Sequence, residues 1–81
     1  MEVRIRLGTR IAALAPAPVL SIDLPDGATV ADLFDRLAGT YPELGPALGG
    51  ALPIVQGVHV ERGQALAHGM EIALITPVSG G

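Results

Sequence analysis

Cysteine is absent from the 81 residues, which rules out a disulfide, a thiolate nucleophile and a thiolate-bound metal. Lysine is absent as well. Five scattered arginines supply all the positive side-chain charge, and the formal net charge is −3. Phosphate neutralisation needs clustered cations, and single-strand binding needs aromatic platforms. With one Phe, one Tyr and no Trp, the chain offers neither. No long hydrophobic run exists: the stretch from Ile11 to Leu20 is interrupted by Pro16 and Pro18 and is too short to span a bilayer. Charges at Glu2, Arg4 and Arg6 exclude a secretory apolar segment at the start. A soluble cytoplasmic protein is the expectation.

What is present is apolar and aliphatic. Hydrophobic residues make up 49% of the chain, too many for disorder by composition, so Val, Leu and Ile must build the core. The length fits one domain, residues 1–81, and leaves little room for an enclosed active-site cavity. Delivery of something to a partner fits such a chain better than enclosure of a substrate.

Glu2 to Leu7 alternates strictly, with Val3, Ile5 and Leu7 on one side and Glu2, Arg4 and Arg6 on the other. That period predicts a half-buried strand ended by Gly8. Thr9 to Pro18 reads as a connection, in which Ile11 to Leu14 has room for one helical turn or an extended loop. Val19 to Leu24 is a second strand, expected to pair antiparallel with the first. Pro25-Asp26-Gly27 is a turn. Thr29 stands where a helix N-cap belongs, with Asp32 three residues on. The apolar positions Val30, Leu33, Phe34, Leu37, Ala38 and Tyr41 mark one helical face, and Pro42 stops the helix.

Glu43 to Ala51 reads as a Gly/Pro-rich loop. Leu52 to Gln56 and Val58 to Val60 read as short strands about Gly57, and Glu71 to Thr76 as the last strand. The apolar run Ile72 to Ile75 predicts a central strand covered on both faces, paired in parallel with the first. One amphipathic helix crossing a mixed sheet of about five strands is an α+β plan, the β-grasp.

Smaller signals favour ordinary roles. His59 and His68 lack a Cys or paired carboxylate in ligand spacing, so no metal is expected. Asp32, Asp35 and Glu43 are not expected to be acid-base carboxylates, since helical geometry puts the two aspartates on the solvent face. The Gly45-Pro46 to Gly49-Gly50 segment has no Lys for a phosphate loop. Ser79 has no His at a plausible spacing. The ending Gly80-Gly81 is different: it places no side chain near the carboxylate and allows close backbone approach, which suits threading into a narrow channel. Pro77 stiffens the exit from the last strand and stops the ladder.

The segment Gly69-Met70-Glu71-Ile72-Ala73-Leu74-Ile75-Thr76-Pro77-Val78-Ser79-Gly80-Gly81 resembles the C-terminal signature of the MoaD/ThiS sulfur-carrier family, most closely the small subunit of molybdopterin synthase. Asp26 to Leu44 is similar to that family's helix region. The chain departs from the family pattern at Met70 (commonly Asp), Thr76 (commonly Pro) and Gln56 (commonly Asn), and has Leu74 and Ile75 where some members have aromatics.

The resemblance implies a ubiquitin-like β-grasp domain with a flexible tail at 77–81, non-catalytic on its own and binding no cofactor. A ubiquitin-activating-type (MoeB-like) adenylyltransferase would use ATP to adenylate Gly81, and a thiocarboxylate would follow. The tail residues Pro77, Val78, Ser79 and Gly80 would thread into the molybdopterin synthase large subunit (MoaE-like). Ile75, Pro77 and Val78 are the candidate partner-binding residues. Other readings are a carrier for thiamine thiazole or cysteine synthesis, a protein modifier joined through Gly81, and a β-grasp interaction module.

Overall fold

The first strand and the last lie side by side in parallel at the middle of one sheet. The structure, a computed structural model, describes residues 1–77. Its elements are β1 (Glu2–Leu7), α1 (Thr9–Ala12), β2 (Val19–Asp23), α2 (Val30–Thr40), a 3₁₀ turn (Pro42–Leu44), α3 (Gly45–Leu48), β3 (Leu52–Val55), β4 (Val58–His59) and β5 (Glu71–Ile75). The sheet order is β2-β1-β5-β3-β4. β1 pairs antiparallel with β2 and parallel with β5, and β3 is antiparallel to both β5 and β4. This is the α+β, ubiquitin-like β-grasp arrangement.

Alternation in the sequence sets the two faces. Val3, Ile5 and Leu7 of β1, Leu20 and Ile22 of β2, and Ile72 and Leu74 of β5 are buried on one side. α2 lays Val30, Leu33, Phe34 and Leu37 over them. Each fully buried aliphatic side chain contributes about 1.5–3 kcal/mol over leaving it in water.

The start of α2 is fixed by a complete set of hydrogen bonds. The Thr29 hydroxyl accepts from the Asp32 amide and the Asp32 carboxylate accepts from the Thr29 amide, a reciprocal capping box. The Val30 and Ala31 amides donate to the carbonyls of Gln64 and Arg62 at 3.0 and 2.9 Å. The Leu33 amide donates to the Thr29 carbonyl. All four amides of the first turn are thus occupied, and this helix end has no donor left for an anion. Arg62 also stacks its guanidinium 4.2 Å from the centre of the Phe34 ring.

Several expectations need correction. β5 is central but covered on one face only: Ile72 and Leu74 are buried, Ala73 is half-buried and Ile75 is 45% exposed. An apolar run shows that a strand is central, and a second covering layer has to come from elsewhere in the chain. One helix cannot supply two layers. Ala38 is exposed, being too far round the helix from the Val30–Leu33–Leu37 stripe. Thr9 to Ala12 forms the helical turn, pinned by fully buried Ile11. The loop expected at Glu43 to Ala51 contains a 3₁₀ turn and α3, because Leu44 and Leu48 repeat at helical spacing and are both buried. Pro46 sits in the first turn of α3, where its missing N–H costs nothing. Strands β2, β3, β4 and β5 each end one residue before the expected boundary.

Pro53 lies inside the sheet, in β3. Its carbonyl accepts from Val60 at 3.0 Å, so its donorless nitrogen faces the same side, where the two-residue β4 has already ended. That is a position a strand proline tolerates. Gln56 and Gly57 form the β3–β4 turn with φ of 49° and 79°, the doubly positive turn that favours Asn-Gly.

Candidate functional site

The chain leaves the sheet at the end of β5, and that exit is built by its two neighbours. On one side Leu52 of β3 lies opposite Ile75. On the other, Leu7 pairs with Leu74, and the Gly8 amide donates to the Leu74 carbonyl at 2.8 Å. Gly8 has φ −63° and ψ 163°, which any residue adopts. Space is the reason for glycine: a Cβ there would stand 3.1 Å from the Leu74 carbonyl oxygen and 3.5 Å from the Ile75 Cα. With no side chain at residue 8, that flank of Ile75 stays open.

Beyond Ile75 the chain passes through half-buried Thr76 to exposed Pro77. The other residues singled out in the sequence, Val78, Ser79, Gly80 and Gly81, lie outside the described residues. Of the three candidate partner-binding residues, Ile75 and Pro77 are exposed at the root of the tail.

The uncovered face of the sheet is divided. Leu52, Ile54, Ala73 and Ile75 form an apolar strip on β3 and β5, neighbours by the register Leu52↔Ile75 and Ile54↔Ala73. β1 and β2 contribute Glu2, Arg4, Arg6, Ser21 and Asp23. Arg6 bridges the two halves, its Nε donating to Glu71 Oε1 at 2.8 Å. Both side chains are well exposed, so the pair adds about 0–1 kcal/mol. A groove of about 710 Å³ runs beside the strip, between the β3–β4 turn and residues 67–71, with Ile54, Met70 and Ala73 in its walls.

The remaining candidates have structural employment. His68 accepts a hydrogen bond from the Glu2 amide through Nδ1 at 3.0 Å. His59 lies on β4 opposite Ile54. No group of three or more potential metal ligands exists among the described residues. Asp32 is taken by the cap, and Asp35 and Glu43 are exposed. Among the described residues no polar or charged side chain is buried, so no desolvated acid or base stands ready for catalysis. What the described residues offer is surface: a sheet covered on one face by α2, an apolar strip on the other, and exposed Ile75 and Pro77 where β5 ends.

The sequence reading overlooked Leu52 and Ile54 as part of the apolar strip, and Gly8 as its open flank. Their outward position follows from register across β3 and β5, which no single strand reveals. Placing Leu52 opposite Ile75 would have required knowing that β3 adds to β5.

A protein-family model, that of the ThiS family, matches residues 6–81. This chain belongs to the ThiS family. As a ThiS-family protein it is a ubiquitin-like sulfur carrier, and the structural relatives agree in fold. The small archaeal modifier protein 1 from Haloferax volcanii superposes with a TM-score of 0.89 at 29% identity over 100% of both chains. Molybdopterin converting factor subunit 1 from Pyrococcus furiosus gives a TM-score of 0.85 at 22% identity over 96% of this chain and 99% of that one. The complex of subunits 1 and 2 of the molybdopterin-converting factor from Helicobacter pylori contains a chain matching at a TM-score of 0.71 and 21% identity, with 100% of each covered. At those last two identities the likeness concerns the fold. No curated protein sequence matches. Among the described residues of this ThiS-family chain, no helix is long and apolar enough to cross a membrane.

Proposed function

We propose that this ThiS-family carrier is the sulfur-donating small subunit of molybdopterin synthase, and that the carboxyl group of Gly81 is its working group. The observation that supports this reading is where β5 ends. The central strand closes at Ile75 beside the apolar strip, and the sequence continues from there as Thr76-Pro77-Val78-Ser79-Gly80-Gly81.

The chemistry follows from a carboxylate with no side chain near it. An adenylyltransferase of the ubiquitin-activating (MoeB-like) type directs the Gly81 carboxylate oxygen to the α-phosphorus of ATP, and pyrophosphate leaves. The resulting mixed anhydride is a strong acyl electrophile. The terminal sulfur of a protein persulfide attacks the acyl carbon and AMP leaves, giving an acyl disulfide. A second thiol cleaves its S–S bond, releasing the thiocarboxylate and leaving a disulfide on the donor side.

The tail then threads into a MoaE-like large subunit through Pro77, Val78, Ser79 and Gly80, with Ile75, Pro77 and Val78 at the contact. The thiocarboxylate sulfur passes to cyclic pyranopterin monophosphate, and two such transfers build the dithiolene. The Helicobacter pylori relative, found with its second subunit, supports a partner of this kind. The carrier contributes no catalytic side chain of its own, and ATP is used by the activating partner.

A second reading has a specific observation behind it. The Haloferax volcanii relative at 29% identity is named a modifier, and a modifier shares the adenylation step before diverging toward an amine. Intact-mass measurement after incubation with the activating enzyme, ATP and a persulfide donor separates the two. One terminal oxygen exchanged for sulfur, followed by dithiolene formation with the large subunit, is the expected result. Conjugates to other proteins with no thiocarboxylate species would establish the modifier instead. Deletion of Gly81 is expected to abolish thiocarboxylation completely, and retained sulfur transfer by that variant would refute the assignment.

A further inference from the structure

The two edges of the sheet are finished differently. β4 closes one of them with only two residues, and brevity protects an edge from unwanted pairing. β2 closes the other with five, Val19–Asp23, none of them proline or lysine. Its register with β1 runs unbroken from Val19 to Asp23, so no bulge turns this edge away. The hydrogen bonds decide which way its backbone points. The Leu7 amide donates to the Pro18 carbonyl and the Leu24 amide to the Met1 carbonyl, both at 2.8 Å. With Val3 on Ile22 and Ile5 on Leu20, the residues bonded to β1 are Pro18, Leu20, Ile22 and Leu24. The amides and carbonyls of Val19, Ser21 and Asp23 therefore point away from the sheet, and among the described residues they bond to no other backbone group.

The side chains of these three residues are exposed on the open face. Asp23 stands directly opposite Glu2, and like charges so placed repel. Arg4, diagonal to Asp23 on that face, makes no ion pair with either carboxylate among the described residues. On the helix side, a groove of about 550 Å³ lies between Leu24, at the end of β2, and Asp35, Arg36 and Gly39 of α2. A Cβ at Gly39 would meet nothing within 4 Å, so that wall of the groove is open.

We propose that the β2 edge accepts an extended basic segment of another protein as a sixth strand, antiparallel to β2. Its backbone bonds to the outward amides and carbonyls of Val19, Ser21 and Asp23. A lysine or arginine of the segment lies opposite Asp23 and relieves the repulsion from Glu2. A small residue lies opposite Ser21 and an apolar one opposite exposed Val19. The residues between them face the α2 side, where the groove leaves room. Two copies of this chain paired about Ser21 would set each Asp23 against a Val19 and leave the repulsion in place, so charge favours a basic strand over a second copy. The site is separate from the exit of β5. β1 lies between β2 and β5, and an added strand is about 14 Å from β5 at the usual strand spacing. A partner held there leaves Ile75 uncovered.

Amide NMR of the isotope-labelled chain, titrated with a blocked peptide of the order lysine, valine, threonine, valine, isoleucine, tests the proposal. Saturable shifts centred on the Val19, Ser21 and Asp23 amides are expected. A peptide with glutamate in place of lysine should bind roughly fivefold more weakly at low salt, with the difference closing as salt is raised. Asp23→Lys should reverse the order of the two peptides. Ser21→Pro removes an amide that bonds to nothing inside the fold, a change an edge strand tolerates, and should abolish binding. Thermal unfolding of both variants is recorded beforehand, and Asp23→Lys carries the test if Ser21→Pro does not fold. The absence of saturable shifts, shifts centred elsewhere, or an order of peptides that Asp23→Lys leaves unchanged would overturn the site. Shifts at the same three amides on concentrating the chain alone, with slower tumbling, would give the edge to a second copy and overturn the basic occupant. Gly81 enters none of these readouts, so failure here leaves the proposed function standing.

Discussion

The two faces of the sheet are made from the same strands and have opposite characters. On the helix side every inward position of β1, β2 and β5 is aliphatic and buried, and α2 closes over them. On the other side β1 and β2 present charges, Ser21 and Val19, and β3 and β5 present Leu52, Ile54, Ala73 and Ile75 with nothing over them. β1 follows the usual rule of apolar inside and polar outside; β5 is apolar on both sides after Glu71. Under the proposed function, the difference between these two neighbouring strands separates the surface that holds the fold from the one offered to a partner.

The comparison can be broken most severely on the closed face. Leu37→Ala opens a cavity under fully buried packing between α2 and the sheet and is expected to cost about 2–5 kcal/mol in denaturant unfolding. Loss at the edge of that face is smaller. Thr29→Ala removes the hydroxyl that accepts from Asp32, and about 1 kcal/mol should disappear from the same measurement. The open face should behave in the opposite way. Ile75→Ser is expected to change stability by no more than about 0.5 kcal/mol, while weakening capture by the activating enzyme and the large subunit in a binding assay. A loss of stability at Ile75 as large as that at Leu37 would erase the distinction between the faces.

Much of this architecture was legible beforehand because it rests on local rules. The alternation of Glu2 to Leu7, the Thr29 cap with Asp32 and the stop before Pro42 each depend on a few adjacent residues, and each lies where expected. The parallel pairing of the first and last strands was expected from the β-grasp plan and lies where that plan puts it. What escaped depends on partners distant in sequence. The last strand was expected to be covered on both faces, and only the number of available layers shows otherwise. Leu44 and Leu48 anchor α3 inside a segment whose glycines and prolines masked their spacing.

The site was legible in part. Ile75 and Pro77 are exposed at the tail root, whereas Gly8 gave no signal, since its glycine is explained by a carbonyl sixty-six residues away and not by its own backbone angles.

One consequence of the β1–β5 pairing concerns force and timing. The tail is spliced to the innermost strand, which is held by hydrogen bonds to neighbours on both sides. A pull on the chain end, such as extraction from a deep channel during partner exchange, loads both ladders lengthwise and at once, the direction in which many bonds must yield together. The strand that takes this load is also the last of the five in chain order, and β1 must wait for it. The carrier therefore acquires a firmly seated handle only when its body has closed.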